Sequence, residues 1–412
     1  MKKHAASITC LIVCALFFNS CTKDNVKPAE KQLAKKTHAG PITLTDVQPR
    51  VAKIYSAVRI KGTNFSAVKE ENVVEFNGVQ AIVTYATDTM LTVTLPGTAT
   101  TGKIKVTVDG ASFTTPSDFK VLKPVKDLTV TFGPTTYITK IAFDKVRKGY
   151  LFVTNGEGVF QLAPNGTITN IYNAPPDETS GDTTFNYAID GIATALDGNV
   201  YAGLEKYNPV SFAYEQNIII KITPAGVSSV AAGVGSGHQD GAGATAQFRA
   251  MSDFTSDYSG RNLYLAEDYL KIRRISQYNN VSTPAEISSG AQGKLAVDIN
   301  SNIYFSNDGV IKKINPAGVI TNVAGGIGGS QADGLKTEAR FNGINSMAVD
   351  MQNLYLSDLR TDDYAFTLRV LNNAGYVSTM TLPDQFYVLA IDPVSDKLCT
   401  AFGNSLTVYS FK

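Results

Sequence analysis

The sequence predicts an all-β protein in two parts, an N-terminal immunoglobulin-like β-sandwich followed by a six-bladed β-propeller. Three observations carry this. Residues 42–122 are short alternating runs joined by Asn77-Gly78, Pro96-Gly97 and Asp109-Gly110, and Asn-Gly and Asp-Gly are strong hairpin signals. Residues 127–412 repeat a unit of four short apolar runs, cleanest over 293–343. Charged residues make up only 18% of the 412, with 19 Tyr, 20 Phe and no Trp, the profile of a β-rich extracytoplasmic chain rather than a helical enzyme.

The chain opens on a basic start, Met1 to His4, and an apolar stretch from Ala5 to Phe18 that is too short to span a bilayer permanently. It reads as a secretion signal over residues 1–20. Its end, Phe18-Asn-Ser-Cys21, resembles a bacterial lipobox with Phe in place of the usual Leu, which implies a lipid on Cys21 and an outer-membrane lipoprotein, displayed on the cell surface in some members of that class. Residues 21–41 are polar and Lys-rich with no apolar period, a flexible tether. Cys10 and Cys14 leave with the signal. Of the two that remain, Cys399 sits in an apolar strand and reads as a core residue, so no disulfide is expected.

Residues 42–122 place about 80 residues in short strands, the size of a small sandwich. The phrases Ile60-Lys-Gly-Thr-Asn-Phe65, Val74-Glu-Phe-Asn-Gly78, Val93-Thr-Leu-Pro96 and Thr101-Gly-Lys-Ile-Lys-Val106 resemble the IPT/TIG domain. That resemblance implies a spacer or contact module. Lys123 to Lys126 reads as the linker to the second part.

Six copies of the repeat align on a first strand ending in Asp: Asp144, Asp197, Asp257, Asp298, Asp350 and Asp392. Those residues read as turn formers that tolerate positive φ, with no catalytic role. The inner runs are continuously apolar, as in strands buried on both faces. The sixth copy has three strands before the chain ends, and Leu128–Phe132 supplies the fourth, closing the ring and removing a sheet edge. Two connections share a fingerprint, Asp240 to Phe248 and Asp333 to Phe341, following strands of the form Ile/Val-x-Lys-Ile-x-Pro-x-Gly. Together these resemble the NHL-repeat propellers across residues 127–412.

Composition excludes several functions. Lys plus Arg number 37 and Asp plus Glu 36, so nothing electrostatic points to nucleic acid. There are three His, of which His238 alone lies in the two predicted domains, so a multi-imidazole metal centre cannot be built. His238 reads as a loop hydrogen-bonder. The long connections (173–186, 205–216, 233–249, 325–343 and 360–366) all fall on one face of a propeller, and the opposite face has minimal turns. Binding is therefore expected on the loop-rich face. Its candidate residues are Tyr207, Phe212, Tyr214, Arg249, Arg340 and Tyr364 on the rim, and Asp190, Asp253, Asn345 and Tyr387 around the channel.

The preferred expectation is a lipid-anchored, non-enzymatic envelope protein that binds a glycan, peptide or partner protein, as a monomer or within a surface complex, with no cofactor and no membrane contact beyond the lipid on Cys21. The pairing of the two resemblances implies nutrient capture. A different class stays open: a metal-dependent, lactonase-like hydrolase or lyase holding calcium or zinc on Asp190, Asp253 and Asn345.

Overall fold

The computed structural model describes residues 40–412, except Asp182, Tyr269, Leu270, Tyr278, Ser288–Gly290, Gly329, Pro393 and Val394. The predicted signal peptide, Cys21 and most of the tether lie outside the described residues.

Residues 43–122 form a β-sandwich. One sheet orders Thr43–Gln48, Ala57–Thr63, Met90–Thr94 and Ile82–Ala86; the other orders Val79–Gln80, Asn72–Phe76, Ile104–Val108 and Ala111–Thr114. A third pair, Val51–Lys53 with Lys120–Leu122, is parallel. The hairpins turn where the sequence placed them: Asn77-Gly78 and Asp109-Gly110 take positive φ at both residues (48° and 82°, 49° and 84°).

Residues 124–412 form six antiparallel sheets of four or five strands. Their innermost strands, numbered here as blades 1 to 6, are Ile138–Asp144, Thr183–Thr194, Met251–Ser256, Ala291–Val297, Ile344–Val349 and Val388–Asp392. Each innermost strand lies against the next, and the sixth lies against the first, so the ring is closed. Second strands such as Gly149–Thr154 and Asn353–Leu359 are almost wholly buried, as packing on both faces requires.

Closure uses the strand Pro124–Thr131, paired antiparallel with the C-terminal strand Ser405–Phe411. This corrects the linker expected at Lys123–Lys126. Lys123 and Lys412 exchange two backbone hydrogen bonds of 2.9 Å, so the sandwich runs into the ring without a hinge. One apolar cluster continues from Val58, Phe76 and Leu91 of the sandwich into Tyr355, Leu368, Leu398 and Phe411 of blades 5 and 6. At its edge the buried Lys53 ammonium meets Asp350 at 2.5 Å and Asp396 at 2.6 Å. Asn372 donates to the Tyr55 carbonyl and to Thr94, both at 3.0 Å. These partners sit on the minimal-turn side of blades 5 and 6, so the sandwich packs on that face rather than on the loop-rich one.

The repeated Asp residues act by a different device from the one expected. None takes positive φ; Lys148, Gly198, Gly260 and Ser301 in the following turns do. Five of the six carboxylates instead accept amide N–H groups of their own turn, and Asp392 accepts the Ser395 hydroxyl. Asp298 accepts from Asn300 and Asn302 at 2.9 Å, and Asp350 from Gln352 and Asn353 at 2.7 Å.

Candidate functional site at the channel mouth

At the loop-rich end, every blade brings a polar residue of its innermost strand, or just before it, to the channel, with Thr139 and Ser346 beside them. Lys140, Asp190, Asp253, Lys294, Asn345 and Tyr387, in blade order 1 to 6, line a cavity of about 220 Å³. In blades 1 to 5 the local cause is a break in register where the strand enters: between Ile138 and Lys140, Ile189 and Gly191, Met251 and Asp253, Ala291 and Leu295, and Ile344 and Ser346. A bulge adds a residue to one strand and re-aims the side chain beside it. Gly191 follows one bulge because a Cβ there would sit 2.3 Å from that of Phe254. The structure thus brings together Asp190, Asp253, Asn345 and Tyr387. It adds two lysines that carried no functional reading in the sequence, although Lys140, Asp253 and Lys294 all stand four residues before their turn Asp.

The charges in the mouth are arranged unequally. Asp253 accepts from its own neighbour's N–H, Phe254, at 3.0 Å and from Leu295 of the next blade at 2.8 Å. Lys140 reaches the Ser252 carbonyl at 3.3 Å. Asn345 donates to the Tyr387 carbonyl at 2.9 Å. Asp190 lies against a carboxyl from the second strand of its own blade, Glu205, which is 2% exposed. Burial, and then the hydrogen bond and charge shared with Asp190, push Glu205 up to about 9, so at neutral pH it holds a proton and donates it to Asp190. Glu205 also accepts from the Met251 N–H. Lys294 is held below the usual lysine range by burial and by the charge of Lys140, with Asp253 and Asp190 opposing.

Around the mouth, the expected long loops of blade 2 are in large part strand. Tyr207 and Tyr214 pair in an extended hairpin, and Glu178–Ser180 adds a fifth strand against Phe185. Alternating residues in 183–188 and 214–217 favour that ladder over a free loop. The hairpin tip is apolar and open: Val210 is 87% and Phe212 73% exposed, beside Tyr214, whose ring lies 6.3 Å from that of Tyr207. Blade 5, opposite in the ring, presents Tyr364, and Phe366 meets Tyr387 edge-on at 5.1 Å. The two arginines differ. Arg249 is exposed and pairs with Asp268 at 3.1 Å. Arg340 is folded back onto the carbonyls of Thr337 and Ala339, so it holds its own loop rather than presenting a charge.

The Asp-to-Phe fingerprint is a clamp built on two buried arginines that the sequence reading passed over. In blade 3, Arg273 pairs with Glu267 at 2.6 Å and Asp240 at 3.0 Å, and its guanidinium lies 5.0 Å from the Phe248 ring. In blade 5, Arg369 repeats this with Asp358 and Asp333, both at 3.0 Å, and Phe341 at 5.3 Å. Asp240 also accepts from Thr283, and Asp333 from Thr379. This draws each loop down its blade's outer edge to pair beside the minimal turn, at Asn280 and Val281 and at Tyr376 and Val377. These two connections therefore leave the loop-rich face on which they were expected. His238 stands two residues before Asp240 as Gln331 stands before Asp333. It bridges Glu267 at 3.0 Å and Asp268 at 3.3 Å, a loop-holding role.

The donor set does not suit a hard cation. Asp253 already serves two amide N–H groups, the Asn345 amide is turned to a carbonyl, and two lysines share the cavity. Among the described residues no group of three or more His, Cys, Asp or Glu is placed to hold a metal.

Residues 42–121 match the IPT/TIG domain family. No curated protein is matched by the sequence. Among solved structures, a protein of unknown function from Bacteroides thetaiotaomicron aligns with a TM-score of 0.52 at 19% identity, over 91% of this chain and 99% of that one. An auxiliary nutrient binding protein from the same organism gives 0.48 at 13% identity, over 91% and 99%. A gluconolactonase from Xanthomonas campestris gives 0.46 at 12%, over 70% and 95%. The first of these likenesses shows the fold alone, and the other two are too distant to bear on function. The chain is an IPT/TIG domain followed by a β-propeller.

Proposed function

We propose that this is a binding protein of the bacterial envelope that grips a polar ligand, a glycan, a peptide or an exposed part of a partner protein, at the loop-rich face of its propeller. The observation that carries this is the convergence of polar residues from all six blades on one cavity at that end. Aromatic tips at Phe212 and Tyr364 flank it, and the sandwich takes the opposite face. Charged groups in a concave site fix a ligand's orientation, and exposed rings add apolar contact at low entropic cost. The IPT/TIG domain then serves as a stalk, and a lipid on Cys21 would tether it to the membrane.

A glycan and peptide array probed with the soluble chain tests the binding reading. A specific hit that weakens at least tenfold in Tyr387→Ala supports it; an array without hits, or a hit indifferent to both Tyr387→Ala and Phe212→Ala, removes its basis. Labelling with radioactive palmitate in wild type and Cys21→Ser tests the anchor, with incorporation expected in the wild type alone.

A further inference from the structure

We propose that the channel mouth is a subsite for an acidic sugar, with Lys294 and Lys140 taking the carboxylate and Asp190 and Asp253 taking hydroxyls. This rests on the binding reading above and adds the ligand's chemical class.

The first ground is a missing partner. The Lys294 side chain lines the cavity, yet it makes no hydrogen bond and no ion pair among the described residues. The carboxylates of Asp253 and Asp190 act on it only through space, against the repulsion of Lys140. An ammonium drawn partly out of water without a partner is costly, and an anion bound there relieves the cost. Lys140 has a single backbone carbonyl at 3.3 Å and keeps donors to share.

The second ground is the order of charges. The two carboxylates stand on adjacent blades, 2 and 3; the lysines flank them on blades 1 and 4; Asn345 and Tyr387 complete the circle on blades 5 and 6. A single negative group fits the side of the ring that runs from Lys294 through Asn345 and Tyr387 to Lys140. On the other side the acceptors are partly satisfied: Asp253 by two amide N–H groups, Asp190 by the proton of Glu205. With Lys140 and Lys294 in the same cavity a ligand ammonium would be repelled, so the remaining lone pairs take neutral hydroxyl donors. A second ligand anion would be repelled by the carboxylates. One carboxylate with several hydroxyls is the chemistry of an acidic sugar. The cavity, about 220 Å³, is smaller than the roughly 300–1,000 Å³ of sites for drug-sized ligands, so it takes a single sugar unit. The Tyr387 and Phe366 rings at its edge offer that unit an apolar face.

Titration calorimetry of the protein at pH 7 with D-galacturonate, D-glucuronate, D-galactose, β-alanine and inorganic phosphate is the test. One of the two uronates should bind at least tenfold tighter than galactose, β-alanine and phosphate, the span of one charge-assisted hydrogen bond. Lys294→Met should remove that preference, Lys294→Arg should retain it, and Lys140→Met provides a second variant should the first fail to fold. Phosphate, β-alanine or galactose binding as well as the uronates overturns the proposal, and so does an unchanged preference in folded Lys294→Met. If neither uronate binds while an array hit still does, this proposal falls and the binding reading stands; if nothing binds at all, both fall.

Discussion

Replacing Lys53 by Met tests how firmly the sandwich is joined to the ring. Lys53 is 1% exposed and its ammonium pairs with the fully buried Asp350. Removing one partner of a buried ion pair costs about 3–5 kcal/mol, because the other charge is left without compensation. Asp350 keeps two amide donors at 2.7 Å, which places the substitution near the lower bound, about 3 kcal/mol. The second partner, Asp396, is 38% exposed and returns to water at little cost. Loss of the cation over the Phe411 ring, 5.0 Å away, adds roughly 0.5–1 kcal/mol. Urea unfolding at pH 7, followed by Tyr fluorescence and circular dichroism, measures the sum. Because one apolar cluster runs through both parts, wild type and variant should each unfold in a single transition. Adding Asp350→Asn removes the orphaned charge and should recover about half of the loss. A cost below about 1 kcal/mol, or two separate transitions in the wild type, would refute the reasoning.

Three further outcomes follow from the geometry. Arg369→Lys keeps the charge but not the fork that reaches Asp358, Asp333 and the carbonyls of Arg340 and Ala332; it should cost about 2–4 kcal/mol and open residues 326–343 to limited proteolysis, whereas Arg249→Lys should do neither. Glu205 is raised in the folded state to about 9, so its contribution is complete below the ordinary carboxyl range and is lost as pH rises toward 9. Glu205→Gln, a mimic of the protonated form, should match the wild type near pH 5 and exceed it by up to about 4 kcal/mol at pH 8, as read by urea unfolding at both pH values. The Cys399 thiol is buried and raised well above its usual range by that burial, so a thiol reagent should leave it unmodified in the native protein and react once urea unfolds the chain.

Much of this molecule is legible in its sequence because local chemistry and fold agree. Asn77-Gly78 must turn, a buried strand must be apolar throughout, and a blade with three strands of its own gains from a fourth supplied elsewhere in the chain. Asp190, Asp253, Asn345 and Tyr387 could be placed on one circle because each stands just before the apolar run of an inner strand. What stayed hidden depends on contacts far apart in the chain. A lysine at a strand's start, such as Lys140 or Lys294, ordinarily lies on a solvated face, and only the closed ring turns both inward. Glu205 looked like the start of a loop until its strand was seen to continue past it and set its carboxyl against Asp190. Arg273 and Arg369 sit 33 and 36 residues from the Asp partners in their loops, beyond any local pattern. The supposed linker at Lys123–Lys126 failed for the same reason, since its pairing partner is the far end of the chain.

The claim that the loop-rich mouth is the binding face is tested most directly by amide hydrogen exchange on the protein with and without its best array ligand. Protection should appear in residues 186–192, 205–217 and 344–346, which carry the mouth and its rim. Protection confined to the minimal turns, such as 144–149 and 197–199, with the mouth unchanged, would contradict it.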